Sequence, residues 1–294
     1  MTPDIPFEDP HPEVDEAAVA QELSVIAEEA KQLHTVDVYK QCLSFVDYTS
    51  LNATDTPAVA KQMAKKVNEF PSRYANIPNV AGICVYPTLV RDVYLTLHSE
   101  RRVSIVSVGA GFPTSQTFYH VKKMECRMAI EAGADEVDVV MALHCFLAND
   151  HYSTFSQIAD IKDNNIGRCR RLKVILETGA LPSLQSVRVA SVGCMKASAD
   201  FLKTSTGKVT PGATPEAALV MCRAIKDFYE RAHRRVGFKA AGGIATTADA
   251  VTYYAIVKHV LGEEWLRPAL FRIGASSLPN RLLSDITGKE EAYF

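Results

Sequence analysis

The stretch Asp200-Phe201-Leu202-Lys203-Thr204-Ser205-Thr206-Gly207-Lys208-Val209 ends a short apolar run in a lysine, then continues through hydroxyls and a glycine to a second lysine. A lysine at the end of a buried strand must shed water, which is costly unless the charge is paired. The group responds by lowering its pKa toward neutrality, and a partly neutral amine is a nucleophile. A lysine that ion-pairs with a neighbouring carboxylate, or snorkels out, is only structural. The residues on either side of Lys203 decide between these readings, and they decide the fold as well.

Working outward, Phe201 to Thr204 reads as a strand, and Thr214-Pro215-Glu216 opens a helix whose inward face is Ala218, Met221, Cys222, Ile225 and Phe228. The same unit recurs on both sides. Upstream, strands are expected over Cys42 to Asp47, Val80 to Val85, Val103 to Val108, Glu136 to Val140 and Leu172 to Leu176. Helices follow them from Thr56-Pro57, Leu89 to His98, Gln116 to Glu131, within Tyr152 to Asp163, and across Leu184 to Ala197. Pro57 suits a first helical position because its missing N–H has no partner there in any case. Downstream, Gly237 to Ala240 and Leu270 to Ile273 complete the strands. Short apolar strands alternating with helices every 30 to 35 residues or so mark a parallel sheet with crossover helices. The count of eight points to a (β/α)8 TIM barrel over 40–286. A doubly wound open sheet is the alternative, and it lacks a GxGxxG after the first strand. Gly109-Ala110-Gly111-Phe112 is a weak look-alike that reads as a turn.

The flanks read differently. Residues 1–12 carry Pro3, Pro6, Pro10 and Pro12 among acids, a composition expected of a mobile tail. The segment 13–36 is expected as an extra N-terminal helix, with Val19, Leu23, Ile26 and Ala30 on one face. Residues 287–294 form a C-terminal tail.

The 294 residues are 47% hydrophobic and 22% charged, an ordinary globular composition. No apolar run approaches the roughly 20 residues that span a bilayer, and the acidic start is unlike a signal peptide, so no membrane role and a cytoplasmic location are expected. Seven cysteines without a CxxC pair argue against disulfides and zinc, and the eight dispersed histidines show no ligand spacing. No metal and no cofactor are expected. A formal charge of −2 without basic runs offers nothing to nucleic acid, so any phosphate bound belongs to a small molecule.

In such a barrel, function sits at the C-terminal ends of the strands. The polar residues expected there are Asp47, Tyr86, Asp138, Glu177, Lys203, Lys239 and Ser276. Lys203 and Lys239 come from adjacent strands, and two neighbouring ammonium groups repel, which lowers the pKa of the less well-partnered one. Asp138 either neutralises a lysine or moves protons through a water. Gly207-Lys208, Gly242-Gly243 and Gly274-Ala275-Ser276 follow strands six, seven and eight. Small residues there let backbone N–H groups approach an anion. Gly207-Lys208 is not a P-loop, since Val209 replaces the required hydroxyl residue.

These residues carry a resemblance. From about Phe45 to Leu283 the chain resembles the deoxyribose-phosphate aldolase family of class I, Schiff-base aldolases. The blocks are Val46-Asp47-Tyr48-Thr49-Ser50-Leu51-Asn52, Ile83-Cys84-Val85-Tyr86-Pro87, Gly133 to Val140, Leu172 to Gly179, Phe201 to Lys208, Gly237 to Gly243 and Arg272 to Leu278. The resemblance implies reversible cleavage of 2-deoxy-D-ribose 5-phosphate to acetaldehyde and D-glyceraldehyde 3-phosphate, without metal or organic cofactor. It makes Lys203 the Schiff-base lysine, Lys239 the lysine that tunes it, and Asp138 the proton-transfer carboxylate. It places Gly207, Lys208, Gly242, Gly243, Gly274 and Ser276 around the phosphate, with Thr49 and Thr206 in the substrate-binding set. Ala245 stands where the family carries an arginine, and Ala240 where proline is common. A terminal tyrosine often folds into the family's site; here Tyr293 is penultimate, before Phe294. By analogy the chain would form a homodimer. A phosphosugar isomerase or a different Schiff-base aldolase would share the barrel and phosphate cup, but an isomerase needs no pair of strand-end lysines.

Overall fold

The structure, a computed structural model, describes residues 13–98, 103–167 and 169–294, so the tail expected over 1–12 lies outside the described residues. Parallel strands β1 (Val46–Thr49), β2 (Gly82–Val85), β3 (Ser104–Gly109), β4 (Glu136–Val140), β5 (Arg171–Ile175), β6 (Phe201–Lys203), β7 (Gly237–Ala241) and β8 (Phe271–Ala275) pair in sequence order, and β8 returns to β1. The chain is therefore a closed (β/α)8 barrel, and the open-sheet alternative falls. Each strand reads as a largely apolar run because it is buried on both faces, by barrel interior and by helix, and each helix must recross the sheet before the next parallel strand.

The helical layer shows why the sequence reads as it does. Pro57 and Pro215 begin α3 (Pro57–Arg73) and α9 (Pro215–Ala232). On α9, Ala218, Met221, Cys222 and Ile225 are fully buried at helical spacing. Each large side chain covered in this way stabilises by about 1.5–3 kcal/mol. Around the barrel run α4 (Val90–Thr96), α5 (Tyr119–Ala132), α7 (His151–Ile161), α8 (Leu184–Lys196), α10 (Thr247–Leu261) and α11 (Leu278–Thr287), and a short α6 (Leu143–Leu147) follows β4. Among the described residues no helix is long and apolar enough to cross a membrane.

Two expectations shift at the N-terminal end. The segment 13–36 holds helix α1 (Glu16–Lys31), capped by Asp15, whose side chain accepts from Ala17 and Ala18 N–H. It packs on α9 and α10. A second helix, α2 (Val36–Ser44), then occupies residues expected to begin the first strand. Cys42-Leu43-Ser44 reads as strand because it is short and apolar. Yet Thr35 caps Val38 N–H, and Val38, Cys42 and Leu43 share one buried face at helical spacing. The strand begins only at Val46.

The C-terminal tail is docked. Asn280 on α11 donates to Phe294 O at 2.9 Å and accepts from Phe294 N–H at 2.7 Å. The Phe294 ring lies against Phe70 of α3 and Tyr48 of β1.

Candidate active site

Lys203, Lys239 and Asp138 meet inside the barrel. Period-two alternation sends one set of residues on each strand inward, and the register of the closed sheet sets them level: Lys203 lies beside Lys239, and Asp138 beside Lys173. Lys203 Nζ donates to Asp138 Oδ2 at 2.9 Å, and Lys239 Nζ donates to the same oxygen at 2.8 Å. Lys173 Nζ takes the other oxygen at 2.9 Å. Lys239 also donates to Asp47. Lys203 is 3% exposed while Asp47, Asp138, Lys173 and Lys239 are fully buried, so only Lys203 retains a path to the mouth.

Burial pushes the Asp138 carboxyl up, but Lys173, Lys203 and Lys239 outweigh it and hold the group well below the usual carboxylate range. Burial pulls Lys239 down, yet Asp138 and Asp47 overcome this and hold it above the ordinary lysine value. Lys203 goes the other way: burial lowers it, the Lys239 charge lowers it further, and one shared carboxylate does not compensate. One lysine is thereby a fixed cation and its neighbour the readier amine. Gly274 makes this possible, because a Cβ there would sit 3.0 Å from Lys239 Cε.

The cup residues gather at the same end of the barrel. Gly242 has φ +93°, a left-handed conformation that glycine adopts without strain, and a Cβ there would meet Gly207 Cα at 3.4 Å. Lys208 reaches across from the loop after β6 to Leu51 O, which follows β1, at 2.5 Å. Gly243 and Ser276 are exposed at the rim. Helix α11 begins beside Ser276, and its N-cap Ser277 makes no side-chain capping bond.

Other expected residues serve elsewhere. The strand-end acid Glu177 does not face the lysines; it accepts from Thr206 N–H at 3.0 Å and Thr206 Oγ1 at 2.6 Å, holding the loop after β6. Thr206 Oγ1 in turn accepts from Lys208 N–H at 3.0 Å. Thr49 donates to Asp47 O at 2.7 Å. Tyr86 joins Leu51, Cys84, Val106, Val108 and Phe112 in an apolar cluster at the ends of the first three strands. Ala245 is exposed, and its N–H, with that of Thr246, donates to Asp249 in the capping box of α10. Tyr293 is placed outside the lysine cluster, its hydroxyl donating to Lys66 O on α3 at 2.6 Å and its ring against Phe70 and Tyr74.

Lys173, Glu136 and Arg272 were missed from sequence, and Asp47 was noted only as a strand-end acid. Charged residues at inward positions of apolar strands are the available signal: Glu136 and Asp138 lie two apart on β4, and Arg272 two before Gly274 on β8.

Comparison with known proteins agrees with this fold. A family model described as DeoC/LacD family aldolase matches residues 42–277. A Caenorhabditis elegans protein is 39% identical over 276 residues, covering 92% of this chain and 89% of its own. Human deoxyribose-phosphate aldolase is 37% identical over 267 residues, covering 86% of this chain and 83% of its own. A crystal structure from Toxoplasma gondii superposes with a TM-score of 0.74 at 19% identity, over 85% of this chain and 94% of that one, and shares the barrel. With the match running from the end of α2 to the start of α11 and taking in every strand, the chain belongs to the DeoC/LacD family of aldolases.

Proposed function

We propose that this protein catalyses the reversible cleavage of 2-deoxy-D-ribose 5-phosphate to acetaldehyde and D-glyceraldehyde 3-phosphate through a Schiff base on Lys203. The observation that carries the reading is one oxygen, Asp138 Oδ2, shared by the Lys203 and Lys239 nitrogens at 2.9 and 2.8 Å inside the barrel. The arrangement supports a neutral amine beside a fixed cation that weakens its hold on a proton.

The amine of Lys203 adds to C1 of the open-chain sugar. With a proton drawn from solvent water, the C1 oxygen leaves as water and a protonated imine forms. That iminium accepts the electron pair of the C2–C3 bond while the C3 hydroxyl gives up its proton, releasing D-glyceraldehyde 3-phosphate and leaving an enamine. Protonation at C2 and addition of water at C1 then release acetaldehyde and restore the amine. The apolar cluster of Leu51, Cys84, Tyr86 and Phe112 suits the small aldehyde end. Gly207, Lys208, Gly242, Gly243 and Ser276, with the uncapped start of α11, suit the phosphate. Since Ala245 brings no charge and its N–H is spent on Asp249, Lys208 carries the cationic part of that recognition.

Borohydride reduction in the presence of acetaldehyde, followed by peptide mass mapping, tests the reading. An adduct on Lys203 that disappears in Lys203→Ala is the expected result. Folded protein with no lysine adduct would overturn it.

A further inference from the structure

The buried charges beneath the reacting lysine close into a ring. From Asp138 the contacts run to Lys239, from Lys239 to Asp47, and from Asp47 to Arg272 Nη1. Arg272 Nη2 then donates to Glu136 Oε1 at 2.8 Å, Glu136 pairs with Lys173, and Lys173 returns to Asp138 at 2.9 Å. Three carboxylates alternate with three cations, and the most exposed of the six is Arg272 at 2%. Lys203 is a seventh group, hung from Asp138 outside the ring. The ring is neutral without it, so a proton on Lys203 adds an unbalanced charge to the barrel interior, where such a charge is costly. A neutral amine adds none.

We propose that Arg272 is a positioning residue that favours the neutral amine of Lys203, by occupying from β8 the two carboxylates, Asp47 and Glu136, whose charge would otherwise be answered by a proton on that lysine. This rests on Lys203 being the Schiff-base amine. An arginine suits the place because its planar fork reaches two acids at once and stays charged when buried. Its remaining contacts are Pro268 O and, at 3.5 Å, Ser104 Oγ. Arg171 also reaches Glu136 at 3.2 Å, but its side chain is 41% exposed and its charge is answered by water. The groups facing Lys203 itself are Asp138 on β4, Lys239 on β7 and the Cys84 thiol on β2, which burial keeps protonated. If Arg272 only tied β8 to β1 and β4, its loss would lower stability and leave the titration of Lys203 where it was.

The test is the titration of Lys203 followed through its 13Cε resonance in lysine-labelled protein, assigned by its loss in Lys203→Arg. Arg272→Met leaves the ring one negative charge in excess, and the midpoint is expected to rise by about one unit or more, a tenfold loss of amine near neutral pH. Glu136→Gln leaves it one positive charge in excess and lowers the midpoint, which keeps the idea open to refutation should Arg272→Met not fold. The double variant, neutral again, returns toward wild type, and Arg272→Lys stays near it. A midpoint unmoved or lowered in folded Arg272→Met, raised in Glu136→Gln, or not brought back in the double variant would overturn the proposal. Acetaldehyde trapping on the wild-type protein judges the Schiff-base reading separately, because the titration needs no turnover.

Discussion

Replacing Lys239 by methionine keeps most of the side-chain volume and removes one charge. Lys203 and Lys239 reach the same oxygen of Asp138 at 2.9 and 2.8 Å, so their nitrogens are at most about 6 Å apart. At an effective dielectric constant of about 20, two ammonium charges at that separation repel by roughly 3 kcal/mol. Removing Lys239 makes protonation of Lys203 easier by that amount, which cuts the neutral amine about a hundredfold. Asp138, relieved of one partner, draws the Lys203 proton in the same direction. Single-turnover imine formation with acetaldehyde, quenched by borohydride and quantified on the Lys203 peptide, should slow about a hundredfold near pH 7. Once pH passes the point at which wild-type Lys203 loses its proton, the deficit should shrink about tenfold with each further unit, because the solvent comes to deprotonate Lys203 as its neighbour did. A deficit that stays equally large above that point would refute the electrostatic account, since it would mean that Lys239 contributes a proton and not a repulsion.

Lys203→Met should raise thermal stability near neutral pH, because the folded state holds this lysine below its unfolded value. That penalty is full at low pH and vanishes as pH rises to about 10.4, so the gain in melting temperature should fade over the same window. Ser276→Asp places a negative charge at the rim of the glycine cup. It should raise KM for deoxyribose 5-phosphate at least tenfold while leaving the rate of acetaldehyde trapping unchanged, and equal losses in both assays would place the phosphate elsewhere. Gly274→Ala pushes a methyl group to 3.0 Å from Lys239 Cε and from the Ala241 side chain. It should cost about 1–3 kcal/mol in urea unfolding and slow trapping through the displaced lysine.

Much of the architecture is legible in the chain because its signals are local. Pro57 and Pro215 at helix starts, the buried stripe of α9 and the recurring apolar strands each follow from a few neighbouring residues. Where a local signal is ambiguous the expectation slips: Cys42-Leu43-Ser44 is short, apolar and helical, and only packing against the rest of the molecule decides it. Glu177 reads as another strand-end acid for the mouth. Its left-handed backbone, φ +52°, turns it to Thr206 instead, and nothing in its flanking residues announces that turn.

By itself, the sequence determined that the strands are eight, that Lys203 and Lys239 lie on two consecutive ones, and that Asp138 is a carboxylate within a largely apolar strand. These depend on order and period along the chain. The tertiary structure alone decided that Asp138 is shared among three lysines, that Arg272 spans 225 residues to reach Asp47, and that Lys203 is left outside the neutral ring. Periodicity states which side of a strand a residue occupies. Which charges then meet depends on the register with which the sheet closes, and in a dry interior that meeting decides which amine keeps its proton.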